Sequence, residues 1–348
     1  MIKPNYPKRM RNIAIVTALF LVSITGFYSC QKSKAPEGND EQIVAVTPQP
    51  TDRLYSVANV FYTEDGSKAE VWFYETPMVF EFSANAPNAA ATFATLKNAK
   101  ENNVPVNVRL AVITGNRVDV AYPSTAEQRA AFSAAVSKRE TAVSVPSPEE
   151  VSQGRLALVG VVPNVATLNT IFNKVRDQGC LAAGPYTYGQ CVPYQFVADG
   201  CYARAHKMRQ IIENFYGYTS YKVFNYACNG AGTLAVKATL WGNNCCVRWW
   251  YHVASYVYVQ TGSTQTAYLL DPAMFTAATS IANWLAAQKN VSCGYGGQAQ
   301  GQVYYTSPAY APSSLNTATC TLTPFGDNTY TAADATCASY APKAGCTF

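Results

Sequence analysis

The stretch DGCYARAHKMRQII, residues 199–212, is the segment around which the chain is organised. It predicts a turn, then a cysteine, then an amphipathic helix. Gly200 provides a flexible position before the helix, and Asp199 is a residue of the type that caps helices. Apolar side chains recur at steps of three and four residues, as expected for one buried helix face: Cys201, Ala205, Met208, Ile212 and Phe215.

This spacing places Cys201 in the first turn of the helix, on its inward side. A thiol there meets the positive end of the helix dipole, which favours the thiolate. We therefore interpret Cys201 as the nucleophile of a cysteine enzyme. A core or disulfide-bonded cysteine is the competing interpretation, because most cysteines of cysteine-rich exported proteins are paired.

The N-terminus predicts export. A basic segment precedes the apolar stretch Ile13–Phe27, which is too short for a stable membrane span, so residues 1–29 are interpreted as a signal peptide. The following Ser29-Cys30 resembles a bacterial lipoprotein signal, although Tyr28 fits that pattern poorly. Lipidation of Cys30 and ordinary signal cleavage both stay open. Residues 30–51 are rich in Lys, Gly, Pro, Glu and Asp and are predicted to be a tether.

The cysteines divide the rest of the chain into two predicted units. None lies between residues 31 and 179, whereas ten lie from Cys180 onward, which indicates a disulfide framework in an exported protein. If Cys201 is catalytic, nine remain, so four disulfides and one further free thiol are the expected maximum. The predicted units are a pro-domain over residues 52–138 and a mature catalytic domain over residues 158–348.

The first unit is predicted to be a small α+β domain without His or Cys. Strands are predicted over 54–62 and 69–82, with a turn at Asp65-Gly66, followed by a helix over 86–102. Two further strands and a helix follow, up to residue 137. Residues 139–157 contain prolines and are predicted to be a linker, where proteases cut most readily. The simplest order is signal peptide, pro-domain, linker and mature enzyme.

A cysteine nucleophile needs a base, and the chain has two histidines. His206 lies about 140° around the helix from Cys201, so it is predicted to be a surface or packing residue. His252 lies in a strongly β-type segment over 249–259 and remains as the base.

A hairpin gives His252 its predicted partner. A turn centred near Gly262 and Ser263 pairs residue 271 with residue 254, which places His252 and Asp271 on the same face, one diagonal apart. A register slip of one residue would separate them. The alternative for Asp271 is an ordinary turn residue before Pro272.

A cysteine at a helix start, with His and then Asp on later strands, is the chain order of papain-like and transglutaminase-like folds. The predicted fold class is therefore α+β, with the cysteine helix packed on an antiparallel sheet. In this hypothesis Cys201 attacks an acyl carbon, His252 is the general acid and base, and Asp271 orients the imidazole. Gln195 is a candidate oxyanion donor, with an ordinary loop glutamine as the alternative.

Other site classes receive less support. Basic residues are scattered and the net charge is +5, so nucleic-acid binding is not predicted and a preference for acidic protein surfaces has only a weak signal. Cys245-Cys246 lacks a second ligand pair at zinc-finger spacing, so no metal and no cofactor are predicted.

The motif over 199–211 resembles the bacterial protein glutaminases, or protein-glutamine deamidases. The resemblance extends over Leu158–Phe348 and includes these shorter segments: residues 165–169, 245–246, 251–254, 271–272, 303–305 and 307–308. It implies a secreted, cofactor-free enzyme that converts protein-bound glutamine to glutamate and ammonia with the same Cys-His-Asp triad. It also implies a pro-domain that inhibits the cleft until an activating protease cuts, and a mature form, starting near Leu158, that is not bound to a membrane.

Two other function classes stay open. The same triad would serve a transglutaminase or a papain-like cysteine peptidase, since these enzymes differ in the acyl substrate and in what resolves the thioester. A non-enzymatic alternative is a surface-anchored binding protein with a disulfide-rich head, for which the Tyr- and Trp-rich strand near His252 would be suitable.

Overall fold

The computed structural model describes residue 49 and residues 51–112, 115–137, 160–228, 233–297, 299–306 and 308–347. The predicted signal peptide, Cys30 and the predicted linker over 139–157 lie outside the described residues. We call residues 51–137 the N-terminal region and residues 160–347 the C-terminal region. In the described part of the chain, no helix is both long and apolar enough to cross a membrane.

The strands and helices are numbered in chain order. The strands are β1 (Arg53–Tyr55), β2 (Val57–Tyr62), β3 (Lys68–Phe73), β4 (Thr76–Ser83), β5 (Val106–Leu110), β6 (Val118–Pro123), β7 (Val161–Val162), β8 (Tyr221–Ala227), β9 (Leu234–Ala238), β10 (Cys245–Trp249), β11 (Tyr251–Thr261), β12 (Thr264–Leu270), β13 (Thr279–Ser280), β14 (Gln300–Thr306), β15 (Ala309–Asn316) and β16 (Thr321–Gly326). The α-helices are α1 (Ala89–Glu101), α2 (Ala126–Ser137), α3 (Val165–Arg176), α4 (Cys201–Gln210), α5 (Ile281–Ala287) and α6 (Thr331–Tyr340).

The N-terminal region contains the predicted strands and helices, with one correction. The segment 69–82 forms two antiparallel strands, β3 and β4, because the chain reverses at Tyr74–Glu75 between the paired residues Phe73 and Thr76. That connection contains neither Gly nor Asn, so the sequence lacks the usual signal for a tight hairpin turn. The turn at Asp65-Gly66 lies between β2 and β3, as predicted.

One sheet joins the two regions. Its strand order is β2-β3-β4-β10-β9, so two strands of the C-terminal region continue a sheet that begins in the N-terminal region. The connecting pair, β4 with β10, is antiparallel and aligns Met78 with Trp249. The described residues of both regions belong to one compact unit. The division into a pro-domain and a mature domain at residues 139–157 stays a prediction.

The main sheet of the C-terminal region carries the helix that contains Cys201. Its antiparallel order is β13-β12-β11-β8-β14, and β7 adds to β11 in parallel. Helix α4 packs against β11, and the Ser255 hydroxyl donates a hydrogen bond of 2.8 Å to the Ala205 carbonyl oxygen. The protein is therefore a mixed α/β structure built on antiparallel sheets, with the cysteine helix lying on one of them.

Helix α4 is buried on every side, which corrects the prediction of a single apolar stripe. All of its residues from Cys201 to Arg209 are buried, because α6 and β15 also pack against it. Two of its long polar side chains form ion pairs: Lys207 binds Asp334 at 2.6 Å, and Arg209 binds Glu213 at 2.9 Å. Phe215, expected on the buried stripe, is half-exposed, because Ile211–Phe215 is a π-helical turn that rotates the last residues.

Four disulfides hold the C-terminal region together. They join Cys180 to Cys191, Cys228 to Cys320, Cys245 to Cys346 and Cys246 to Cys293. Of the ten described cysteines, Cys201 and Cys337 are free and buried. The predicted maximum of four disulfides and one free thiol besides Cys201 is confirmed.

Gly200 caps helix α4 in a conformation that other residues rarely adopt, with a φ of 78°. A Cβ at this position would lie 2.9 Å from Cδ2 of Tyr340, which is closer than side chains normally approach. Gly189 has a similar φ of 76° but has no atom within 4 Å of such a Cβ. Substitution of both glycines by alanine therefore distinguishes backbone strain, which both positions share, from crowding, which occurs only at Gly200.

We predict that Gly200→Ala destabilises the protein more than Gly189→Ala. The left-handed backbone alone should cost about 1 kcal/mol in each variant, and crowding against Tyr340 should add about 1–3 kcal/mol in Gly200→Ala. The measurement is urea unfolding with the disulfides kept oxidised. An equal loss of unfolding free energy in the two variants would show that the Tyr340 side chain moves aside without a measurable loss of stability.

Candidate active site

Cys201 is the first residue of helix α4, and its side chain is free and buried. The backbone N–H of Val253, on β11, donates a hydrogen bond to the thiol. Burial raises the pKa of Cys201 to about 12, against an opposing contribution from the nearby Arg204 charge. In the full-length protein the thiol is therefore protonated at neutral pH, because loss of solvent outweighs the effect of the helix terminus that was expected to favour a thiolate.

His252 is the second residue of β11, and its imidazole is held on several sides. Its Nε2 donates to Oδ2 of Asp271 at 2.8 Å. Its ring stacks on Trp249, with 4.4 Å between the centroids and 9° between the planes, and on Trp284 at 5.3 Å. Its Nδ1 is buried without a hydrogen-bond partner. Because an ionised carboxylate can only accept, Nε2 carries the proton and Nδ1 is the nitrogen with a free lone pair.

The hairpin between β11 and β12 has the predicted register. Ser255 lies opposite Leu270 and Thr261 lies opposite Thr264, so the same register places residue 254 opposite residue 271. His252 and Asp271 are then one diagonal apart, and their side chains meet. The predicted pairing of His252 with Asp271 is confirmed.

Asp271 is buried directly after β12 and accepts two hydrogen bonds on the same oxygen. Its Oδ2 receives the His252 Nε2 proton and, at 3.0 Å, the Trp284 Nε1 proton. Burial lowers the pKa of His252, whereas the charge of Asp271 and its hydrogen bond raise it. The carboxylate is therefore fixed by a second donor while it orients the imidazole.

The sequence did not reveal the two tryptophans around His252. Trp249 lies in the aromatic run that precedes the histidine, which is a signal that could have drawn attention to it. Trp284 lies on the short helix α5, and nothing in the sequence around it marks a contact with Asp271. Both side chains are fully buried and restrict the rotation of the imidazole.

Helix α4, which begins at Cys201, packs against strand β11, which contains His252. The two elements meet at two points: Val253 contacts the Cys201 thiol, and Ser255 binds the carbonyl of Ala205 one helical turn later. The residue that contacts the thiol is thus the immediate neighbour of His252. His252 and Asp271 meet through a hydrogen bond, and all three predicted site residues are buried. The assembly of Cys201 with this pair into one triad stays a prediction.

Gln195 is buried, and it is tied to the C-terminal segment. Its Nε2 donates to the Ala341 carbonyl oxygen at 2.9 Å, and its backbone carbonyl oxygen accepts from Asn243 Nδ2 and from the Gly345 N–H at 3.0 Å each. One amide proton is thus committed to the protein. A role for Gln195 as an oxyanion donor stays a prediction.

His206 is a buried packing residue rather than a surface one. Its Nδ1 accepts from Lys222 Nζ at 2.7 Å, and its Nε2 donates to the Thr329 carbonyl oxygen at 2.7 Å. Burial and the neighbouring positive charges hold the pKa of His206 well below its usual value. Both ring nitrogens are occupied within the core, so His206 cannot act as the base for Cys201.

Strands β3 and β4 of the N-terminal region cover the residues next to the site. Trp250, beside Trp249, donates its backbone N–H to the Pro77 carbonyl at 2.8 Å and its Nε1 to the Thr76 carbonyl at 2.8 Å. Its indole lies parallel to that of Trp72, with 5.9 Å between the centroids. The Thr76 hydroxyl donates to the Asp199 carboxylate, two residues before Cys201.

A charged pair adds to this contact. Arg248 Nη2 lies 2.6 Å from Oε1 of Glu70, whose side chain is almost fully buried. The N-terminal region therefore contacts the C-terminal region through backbone hydrogen bonds, aromatic stacking and an ion pair, all within a few residues of the candidate site.

In the described part of the chain, no group of three or more His, Cys, Asp or Glu side chains could hold a metal ion.

The chain is similar to one protein family and to several solved structures. Residues 168–288, which include all three predicted triad residues, match the profile of a family described as Glutaminase. A crystal structure of pro-protein-glutaminase is 25% identical, with a TM-score of 0.66, and the match covers 84% of this chain and 93% of that one. The chain resembles the protein-glutaminase family. A mutant of pro-protein-glutaminase matches over the same shares at 26% identity, with a TM-score of 0.66.

The NMR structure of protein-glutaminase from Chryseobacterium proteolyticum is 31% identical, and the match covers 54% of this chain and 92% of that one, with a TM-score of 0.44. None of the curated proteins compared with the chain is similar to it at a significant level. The expected resemblance to protein glutaminases is confirmed by the family profile and by the two pro-protein-glutaminase structures.

We predict that acid destabilises the protein less when His206 is replaced by Gln. The pKa of folded His206 is depressed, so below the ordinary value of about 6.5 the unfolded chain takes up a proton that the folded protein does not. Stability is then lost as the pH falls, by about 1.4 kcal/mol per pH unit for this residue. Gln keeps an acceptor for Lys222 but does not titrate.

The measurement is urea unfolding of the full chain and of His206→Gln at several pH values between about 5 and 7. Other groups titrate equally in both proteins, so the difference in slope isolates His206. Parallel pH dependences would contradict a depressed pKa for this residue.

Proposed function

We propose that the chain is the precursor of a protein-glutamine deamidase, which hydrolyses the side-chain amide of protein-bound glutamine to glutamate and ammonia. The observation that supports this proposal is the imidazole of His252, held by Asp271 on one nitrogen and without a partner on the other, on the strand against which the Cys201 helix packs. The glutaminase profile and the fold shared with pro-protein-glutaminase support a glutamine deamidase among the enzymes that use such groups.

In the first step Cys201 would become a nucleophile. Nδ1 of His252 takes the thiol proton while Asp271 holds the Nε2–H and stabilises the imidazolium. The thiolate attacks the side-chain carbon of glutamine, a C–S bond forms, and the carbonyl electron pair moves to oxygen. Backbone N–H groups at the start of α4, including that of Cys201, would stabilise this oxyanion.

In the second step the amide nitrogen would leave. The His252 imidazolium gives its proton to that nitrogen, the C–N bond breaks, and ammonia departs from a thioester on Cys201. Water then loses a proton to His252 and attacks the thioester, and the C–S bond breaks. The products are glutamate and the regenerated thiol. A transglutaminase would resolve the same thioester with an amine, and a peptidase would form it from a main-chain amide.

We predict that the activity depends on Cys201 and Asp271 but not on Cys337. Cys201→Ala should remove at least about 99.9% of ammonia release from a glutamine-rich protein, and Asp271→Asn should lower it roughly a hundredfold or more, because the carboxylate no longer selects the imidazole tautomer. Cys337→Ala is the matched control, since Cys337 is the other free, buried cysteine among the described residues.

Ammonia is measured with the full chain after cleavage within residues 139–157, and the substrate is examined by mass spectrometry. Conversion of amides to acids without cross-links or chain breaks separates deamidation from the transglutaminase and peptidase alternatives. Ammonia release that survives Cys201→Ala would refute the proposed function, and binding of proteins without any chemical change would favour the non-enzymatic alternative.

We also propose that the N-terminal region keeps the enzyme latent until a protease cuts the predicted linker. The contacts of Thr76, Pro77 and Trp72 with residues beside the site support this role, as do the complete burial and raised pKa of Cys201 in the full-length protein. The pro-protein-glutaminase matches suggest a pro-domain and protein substrates.

We propose further that the protein is exported. Its four disulfides are typical of proteins that fold in an oxidising compartment. The predicted signal peptide and the lipidation of Cys30 lie outside the described residues, and they stay predictions, as does the interpretation that the mature form is not bound to a membrane.

We predict that Trp72→Ala weakens latency. The full wild-type chain should release ammonia at least about tenfold more slowly than the cleaved chain. In Trp72→Ala the loss of stacking between Trp72 and Trp250 should weaken the attachment of the N-terminal region. The difference in rate between the full and the cleaved chain should therefore be smaller in this variant. Tyr62→Ala is the matched control, because Tyr62 stacks on Phe93 within the N-terminal region itself. Equal activity of the wild-type chain before and after cleavage would refute latency.

A further inference from the structure

Arg204 is a buried cation one helical turn after Cys201. Its side chain is only 2% exposed. Its Nη1 donates to two carbonyl oxygens, those of Phe196 at 2.8 Å and Asp199 at 2.6 Å. Its Nη2 is buried without a hydrogen-bond partner. A guanidinium is always charged in proteins, and burial of a charge costs desolvation free energy, so a buried Arg204 calls for a structural or functional explanation.

The position of Arg204 gives it control over the approach to Cys201. Both carbonyls that it binds belong to the segment 196–199, which leads through Gly200 into the first turn of α4. The side chain therefore fastens the loop before the cysteine to the helix after it. The backbone N–H groups expected to stabilise an oxyanion lie at this junction, so their direction depends on the loop that Arg204 holds.

The charge of Arg204 is not neutralised by an ion pair. Among the described residues, none of the salt bridges includes Arg204. The adjacent Asp199 carboxylate instead accepts from Tyr340 at 2.8 Å, and burial raises its pKa, which weakens it as a counter-charge. Part of the guanidinium thus remains available to stabilise a negative charge that forms nearby.

The titratable groups around the thiol leave Arg204 as its main positive neighbour. Arg204 is the largest influence that lowers the pKa of Cys201, whereas Asp199 and Asp271 raise it. From the adjacent strands, Tyr251 and Lys222 are also close enough to interact with the thiol. Lys222 is a weak substitute, because burial holds its pKa well below the usual value.

We propose that Arg204 is a positioning residue of the active site, whose guanidinium fixes the loop before Cys201 and supplies the positive charge that allows the Cys201 thiolate to form. Its link to catalysis rests on the proposed function, but its effect on the thiol does not. The same charge disfavours the protonated form of His252. Removal of Arg204 should therefore raise the pKa values of both Cys201 and His252, which loss of a purely structural clamp would not do.

The test is a titration of the thiolate by its ultraviolet absorbance, in the full chain cut within residues 139–157, with the matching Cys201→Ala protein subtracted. Arg204→Met removes the charge, Arg204→Lys keeps it, and Arg209→Met removes another buried guanidinium from the same helix. The His252 titration is followed by NMR of its ring protons in the same samples. Thermal unfolding of each variant records any loss of stability separately.

We expect Arg204→Met to raise the pKa of Cys201 by about one unit or more, which is roughly tenfold less thiolate at a given pH. The pKa of His252 should also rise in Arg204→Met. In Arg204→Lys both pKa values should stay close to those of the wild type, and in Arg209→Met both should be unchanged. Unchanged titrations in Arg204→Met, with reduced stability alone, would overturn the proposal.

Equal pKa shifts in Arg204→Lys and Arg204→Met would also overturn it, because charge would then not be the cause. If Arg204→Met does not fold, Arg204→Gln replaces it under the same criteria. The titration involves no glutamine, so a cleaved wild-type protein that releases no ammonia but shows the Arg204-dependent shift would refute the proposed function and leave this inference intact.

Discussion

The burial of helix α4 on all sides is the constraint on which the rest of the structure depends. A helix with Arg204, His206, Lys207 and Arg209 among its ten residues can lie in a core only if these side chains find partners there. Each of the four makes at least one hydrogen bond, although Nη2 of Arg204 has no partner. Most of these partners come from distant parts of the chain, including Asp334 on α6 and the carbonyl oxygens of Thr329 and Asp327, whereas Glu213 lies in the π-helical turn that continues the helix. The position of Cys201 is thereby fixed by many independent contacts.

The second constraint is the register of β11 against β12. It gives His252 a carboxylate on one nitrogen and leaves the other nitrogen without a hydrogen-bond partner, while α4, which begins at Cys201, packs against β11. Trp249 and Trp284 then restrict the imidazole from its faces. The imidazole and the carboxylate do not need a substrate to orient them, because the scaffold itself holds both groups. In the full-length protein Cys201, His252 and Asp271 are all buried, so neither solvent nor a substrate reaches them.

The sequence allowed the hairpin and the pairing of His252 with Asp271 to be predicted for definite physical reasons. The turn at Gly262 and Ser263 sets the register, and with only two histidines the geometry of one helix excludes His206. The total burial of α4 was not predictable, because an amphipathic pattern describes one face, and the elements that cover the other face are more than a hundred residues away. The contact of Trp284 with Asp271 and the extension of one sheet across both regions were missed because they depend on tertiary packing, which no local sequence pattern records.

The sheet that links the two regions has a further consequence for a chain that loses its N-terminal region. Only a short pairing joins β4 to β10, through Met78 opposite Trp249 and the Trp250 N–H on the Pro77 carbonyl. Departure of the N-terminal region would break few main-chain hydrogen bonds and would turn β10 into an edge strand. That new edge is five residues long, and two of its residues are cysteines held in disulfides. A short, cross-linked edge offers other chains little to pair with, so the separated protein would be protected from joining copies of itself edge to edge.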